Sequence, residues 1–250
     1  MINSKIVLNN LVFAQQKDAG MSQLEMLKIV QKLKVTSAEL RREYFDNIEE
    51  EILPILKFMK NVPLRLFYSV PDALFVHGEL NSKLDQYFEE AKQLNIYAIK
   101  FNIGDFQGLT GAIITKLTNL IDTGIQINVE NDQTQESGRL NVMRKFMQVV
   151  TDAGLSIGYV YDMGNWRFVG EDELKAAQSL AKYVRYIHVK DGQGFESSAR
   201  TLLLGKGEID WKNILMILPH DVPVALEYPT PDIAAIENGI DMLNDYLGDR

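Results

Sequence analysis

The chain has 250 residues, 46% hydrophobic and 24% charged, with a formal net charge of −8 and no cysteine. That length suits one large domain whose core needs no cross-links. The lack of cysteine excludes disulfides, thiolate metal sites, iron–sulfur clusters and a cysteine nucleophile, and the acidic balance opposes a nucleic-acid partner.

No apolar run approaches the roughly 18 residues that span a bilayer, so no membrane partner is expected. The N-terminal Met1-Ile2-Asn3-Ser4-Lys5 leads into an apolar run too short for a signal peptide. A reducing, cytoplasmic setting is the expectation.

Eight short β-rich runs follow one another along the chain. They are Lys5–Asn9, Thr36–Arg41, Leu64–Ser69, Ile96–Asn102, Ile125–Glu130, Ile157–Asp162, Arg185–Lys190 and Val222–Glu227. Amphipathic stretches that read as helices separate them, such as Ser22–Leu33, Asn81–Leu94, Arg139–Ala153 and Asp232–Leu247. Ser22 with Glu25 has capping-box spacing, and Asn81, Asp210 and Asp232 are candidate caps. Strict alternation at about 30 residues per unit predicts an α/β fold of the (β/α)8 TIM barrel type, one domain over residues 1–250. An open doubly wound sheet would normally carry a glycine-rich turn after its first strand. Here that strand runs into Asn9-Asn10-Leu11-Val12-Phe13.

Side-chain parity assigns a direction to each residue. In Ile125-Gln126-Ile127-Asn128-Val129-Glu130 the odd residues are apolar and face the helices, so the even ones point into the barrel. The same parity turns Asp162, His188 with Lys190, and Ala225 with Glu227 inward. Glu130, Asp162, His188 and Glu227 each close their run at the C-terminal rim, where barrel active sites are built. Three carboxylates and an imidazole on four adjacent strands call for a cation or for protonation, and a divalent ion is the simplest neutraliser. One divalent ion is expected, with manganese, magnesium or cobalt suiting this oxygen-rich set and zinc also acceptable. The competing reading makes Glu130 and Glu227 structural carboxylates paired with Lys100 or Lys190. Asp162 can instead cap its following turn, and His188 can be a hydrogen-bonded core histidine.

The rim motifs Val-Glu-Asn around Glu130, Asp162-x-Gly-Asn165, His188-Val-Lys-Asp191 and Leu-Glu227 come in this order, with Gly205-Lys206-Gly207-Glu208-Ile209-Asp210-Trp211 before the last strand. In this the chain resembles the xylose isomerase-like barrels, a family that includes sugar isomerases, ketose 3-epimerases, dehydratases and an endonuclease branch. The resemblance implies a metal-dependent isomerase or epimerase of a small sugar, sugar acid or sugar phosphate, working by proton transfer through a metal-stabilised enediolate. Glu130 and Glu227 are then the catalytic pair, one base and one acid. A dehydratase on the same site, or an inactive barrel used as a binding module, are the other readings. Several members carry a histidine where Asn165 stands, so a histidine step there is not expected. Three histidines in the whole chain argue against the trinuclear endonuclease site. His77 and His220 read as surface residues.

Lys190, Asn165, Lys100, Glu39, Asp191 and Arg200 are the candidate substrate-binding residues. Glu39 has the alternative of pairing with Arg41, and Asp191 of orienting His188 or a lysine. Trp166 is placed either against a sugar face or closing the mouth. A small carbohydrate is the expected partner, and a homo-oligomer is an open expectation.

Overall fold

The structure is a computed structural model that describes residues 1–248. Eight strands carry the frame: β1 (Ile6–Asn9), β2 (Ser37–Arg41), β3 (Arg65–Val76), β4 (Ala98–Gly104), β5 (Gln126–Glu130), β6 (Ile157–Asp162), β7 (Val184–Val189) and β8 (Val224–Leu226). Each pairs in parallel with the next, and β1 pairs with β8 through Ile6↔Val224 and Leu8↔Leu226. The sheet is therefore a closed barrel and abolishes its own edges. Helices follow the strands in turn: α1 (Gln23–Lys32), α2 (Ile48–Met59), α3 (Leu84–Gln93), α4 (Gly111–Ile121), α5 (Leu140–Asp152), α6 (Glu173–Leu180), α7 (Trp211–Ile217) and α8 (Ile233–Gly248). This is the single-domain (β/α)8 architecture that the alternation predicts.

The helices bury one stripe each. On α5 the buried residues Met143, Phe146, Met147 and Val150 recur at helical spacing. They share the outer core with the outward residues of β5, Ile127 and Val129. Ser22 and Glu25 form the expected capping box at α1. Asp210 accepts from Asn213 N–H at α7, and Asp232 from Ala235 N–H at α8. Asn81 differs: its Oδ1 accepts from Lys83 N–H and its backbone carbonyl from Leu84 N–H. It stabilises the turn before α3, so the helix starts later than its polar flank suggests.

Inside the barrel, Val7, Phe67, Ala98, Val160, Tyr186 and Ala225 form a separate apolar plug. Phe67 stacks on Tyr186 with ring centroids 4.7 Å apart. Two residues further along the same strands come Asn9, Ser69, Lys100, Asp162, His188 and Glu227. A two-residue step climbs about 6.6 Å, so one layer above the plug the interior turns from apolar to charged. Buried polar groups at this density cost free energy unless each is bonded or paired.

Gly164 shows how tightly the mouth is built. A Cβ there would stand 2.7 Å from Lys190 Cγ and 2.6 Å from Cδ. Gly164→Ala must push the Lys190 stem aside, and overpacking of this kind costs about 1–3 kcal/mol. Chemical denaturation of the variant checks this.

Candidate functional site

Glu130 and Asp162 end β5 and β6, His188 lies on β7, and Glu227 follows the last residue of β8. All four are buried, with Asp162 and His188 at 0% exposure. Asp162 and His188 are register partners, as are Glu130 and Asn102. Glu130, Asp162 and His188 offer ligand atoms within 4.8 Å of one another. Glu227 falls outside that group of three.

The carboxylates are already paired with cations of the chain. Lys100 Nζ donates to Glu130 Oε2. Lys190 Nζ lies 2.7 Å from Asp162 Oδ2 and also contacts Glu227 Oε2. Arg41 Nη1 donates to Glu227 Oε1 at 3.0 Å. The pairings that the sequence leaves as a competing reading for Glu130 and Glu227 therefore exist. A metal nonetheless fits the donor set. Glu130 Oε1, Asp162 Oδ2, His188 Nδ1 and Glu227 Oε2 are buried and lack a well-directed hydrogen bond among the described residues. They are one atom from each of the four residues. Their contacts, such as His188 Nδ1 to Glu130 Oε1 at 2.6 Å, are charge contacts without hydrogen-bond alignment. Carboxylate and imidazole donors of this kind suit a hard or borderline divalent ion.

Opposing charges set the protonation states. Burial pushes the Glu130 carboxyl up, but Lys100 and His188 outweigh it and hold it at about 2. Glu227 is likewise held well below the carboxylate range, because Lys190, His188 and Arg41 outweigh its burial. Asp162 goes the other way: burial, with Glu227 and Glu130 nearby, overrides Lys190 and lifts it to about 7. Burial lowers His188, yet Glu39 and Glu130 on either side push it up to about 10.

Glu39 corrects an expectation. It is fully buried, accepts from Tyr186 Oη at 2.7 Å and lies 2.9 Å from His188 Nε2. It neither pairs with Arg41 nor lines the mouth, because it sits one inward step below Arg41 on β2. Its place is beneath His188, where it holds the imidazole with Nδ1 turned to Glu130. Glu39→Gln is expected to weaken divalent-metal binding by about 10–100-fold, the usual effect of losing such a ligand-orienting partner. Calorimetric titration with manganese measures it.

The two Asp162 oxygens have different neighbours. Oδ1 accepts from Gly164 N–H and Asn165 N–H, capping the turn, while Oδ2 faces the site. Asn131 clamps the same strand end, its Oδ1 accepting from Asp162 N–H and its Nδ2 donating to the Asp162 carbonyl.

Above these residues lies a cavity of about 440 Å³, lined among others by Arg41, Lys100, Asn165, Lys190, Gln133 and Glu227. Of the six residues expected to bind substrate, Lys100, Lys190 and Asn165 are brought together there. Asp191 is not: its Oδ1 accepts from Gly192 and Ile209 N–H and its Oδ2 from Gly207 N–H. It ties down the Gly205–Gly207 turn and touches neither His188 nor a lysine. Arg200 is exposed on a strand paired antiparallel with Asp191–Gln193, and its neighbour Thr201 lines the cavity in its place. Trp166 is fully buried beside Tyr161, away from the cavity lining. Arg41 and Gln133 are lining residues that the sequence reading passed over; Arg41 shares the inward parity of Glu39, which was the available signal.

The family model for the xylose isomerase-like TIM barrel matches residues 84–246. No curated protein sequence matches the chain. Among solved structures it is similar to an IolI protein with a bound zinc atom, at 15% identity and TM-score 0.69, covering 100% of this chain and 97% of that one. An L-ribulose 3-epimerase superposes with TM-score 0.70 at 14% identity over 98% of this chain and 94% of that one. The probable 3-DHS dehydratase AsbF of Bacillus anthracis does so with TM-score 0.70 at 12% identity, over 95% and 98%. At these identities the structural likeness speaks for the fold, and the match to the family model over most of the chain places it: the protein belongs to the xylose isomerase-like TIM barrel family.

Proposed function

We propose that the protein is a metal-dependent isomerase or epimerase of a small sugar, sugar acid or sugar phosphate. One observation carries this reading. Glu130, Asp162, His188 and Glu227 each hold one buried atom without a directed hydrogen bond among the described residues, and Glu130 and Glu227 line the barrel-mouth cavity. A divalent ion held by these four residues would supply Lewis-acid polarisation of neighbouring substrate oxygens and so acidify the carbon-bound proton.

The chain's own residues do the rest. Glu130 and Glu227, both held ionised at neutral pH by their cationic neighbours, take and return that proton. Carboxylates this acidic are weak bases, so the barrier must fall mainly through stabilisation of the substrate's developing negative charge. Lys100 and Lys190 line the cavity and present their ammonium groups to the negative charge that the substrate carries or develops. Asn165 presents an amide at the rim but cannot carry a proton. The apolar plug closes the barrel below the reacting layer and keeps bulk water from reaching it from beneath.

The test is incubation with manganese or cobalt and a panel of ketoses, keto acids and ketose phosphates in deuterated water, followed by NMR. Deuterium is expected at a carbon next to the carbonyl of at least one member. No incorporation into any of them overturns the reading. Loss of water with a new ultraviolet-absorbing carbonyl product identifies a dehydratase instead.

A further inference from the structure

The geometry points to an anionic substrate: its carboxylate or phosphate is received by Lys190, Lys100 and Arg41 at the barrel mouth. This rests on the metal-site reading above and narrows the substrate class within it.

The reasoning is one of charge and place. Four carboxylates, Glu39, Glu130, Asp162 and Glu227, stand in this layer with Lys100, Lys190, Arg41 and His188. Lys100 and Lys190 are about as buried as the carboxylates they pair with, at 6% and 4% exposure. Once Asp162, Glu227 and Glu130 serve a divalent ion, the ammonium of Lys190 loses the two partners that hold it, and Lys100 shares its one. With Glu43 on Arg41 counted, five carboxylates face the five positive charges of the ion, the two lysines and Arg41, but none of them is left to Lys190 alone. An uncompensated buried ammonium is costly. A neutral ketose leaves that ammonium without an anion of its own, whereas an oxyanion on the substrate supplies one. All three cations line the same cavity, and its volume of about 440 Å³ admits a small sugar acid or sugar phosphate. Arg41 has a donor in hand: Nε is engaged by Glu43 and Nη1 by Asn9 and Glu227, while Nη2 has no partner among the described residues. A guanidinium suits planar or tetrahedral oxyanions.

Calorimetric titration of the manganese-loaded protein tests this with three probes: D-fructose, 5-keto-D-gluconate and D-fructose 6-phosphate. At least one anionic probe is expected to bind about tenfold or more tighter than fructose, about 1.4 kcal/mol, and the tighter of the two identifies carboxylate or phosphate. Arg41→Gln should lose most of that preference, and Arg41→Lys should keep much of it. Both variants are to be checked for an intact fold by thermal melting. Equal binding of all three probes, tighter binding of fructose, or binding of none overturns the inference. Solvent deuterium entering neutral ketoses alone would sink it while leaving the isomerase reading intact. Tight anion binding without any deuterium exchange would do the reverse.

Discussion

Replacing Lys190 by methionine is expected to destabilise the metal-free protein by about 3–5 kcal/mol, because it leaves buried charges uncompensated. The Lys190 ammonium bridges Asp162 Oδ2 and Glu227 Oε2 in the interior, and both carboxylates lose it together. Arg41 still serves Glu227 through its other oxygen, but Asp162 keeps the backbone donors on Oδ1 and, for Oδ2, only His188 Nδ1 at 4.0 Å. For a chain of this size the melting point should fall by roughly 10 °C. Manganese should then raise the melting point of the variant more than that of the wild type, since the ion no longer competes with an ammonium for the same oxygens. Stabilisation by a ligand present at 100 times its Kd is about 2.7 kcal/mol, enough to see by differential scanning calorimetry. A variant as stable as the wild type, or one that gains nothing extra from manganese, contradicts the bridging role.

The second large effect is on turnover. Glu130→Gln and Glu227→Gln are each expected to reduce kcat by about 10²–10⁴, the range for loss of a positioned proton carrier. The two should differ in their side effects. Glu130 also faces Lys100 and His188, so its amide variant unbalances two cations. Glu227 faces Lys190 and Arg41 at the rim. Following solvent deuterium uptake from each of two interconverting substrates separates their roles. If one glutamate serves each face of the reacting carbon, each variant should suppress exchange more strongly in one direction. Equal, mild losses from both variants would mean that neither carries the proton.

Much of this was legible in the sequence, for a definite reason. A period of about 30 residues with eight β-rich runs leaves few alternatives to a closed barrel, and period-two alternation tells which side chains enter it. That is how Glu130, Asp162, His188 and Glu227 could be placed at one mouth before any coordinates. Parity gives direction but not depth, however. Glu39 and Arg41 share a face of β2, yet one lies under His188 and the other beside Glu227. That single step of about 6.6 Å puts Arg41 in the cavity lining and leaves Glu39 out of it. Asp191 and Arg200 lie beyond the end of β7, on a short antiparallel ribbon of two three-residue strands, too short to show a period in the sequence. Their roles depend on how the turn at Gly205–Gly207 folds back, which carries no periodic signal. A Cβ on Gly207 would collide with Asp191 Oδ1 and the backbone of Gly192, and that close approach is visible only in three dimensions. The lysine pairings were foreseen as a rival to metal ligation. In the structure the lysines pair with the same carboxylates that make up the candidate metal centre.

Manganese titration of the purified wild-type protein beside Asp162→Ala, followed by equilibrium dialysis and metal analysis, bears most directly on the central claim. Asp162 contributes Oδ2 to the group of buried ligand atoms without a directed hydrogen bond. One divalent ion per chain is expected in the wild type, with at least tenfold weaker binding in the variant. No bound ion in the wild type, or the same affinity in both proteins, would contradict a metal centre built from Glu130, Asp162, His188 and Glu227.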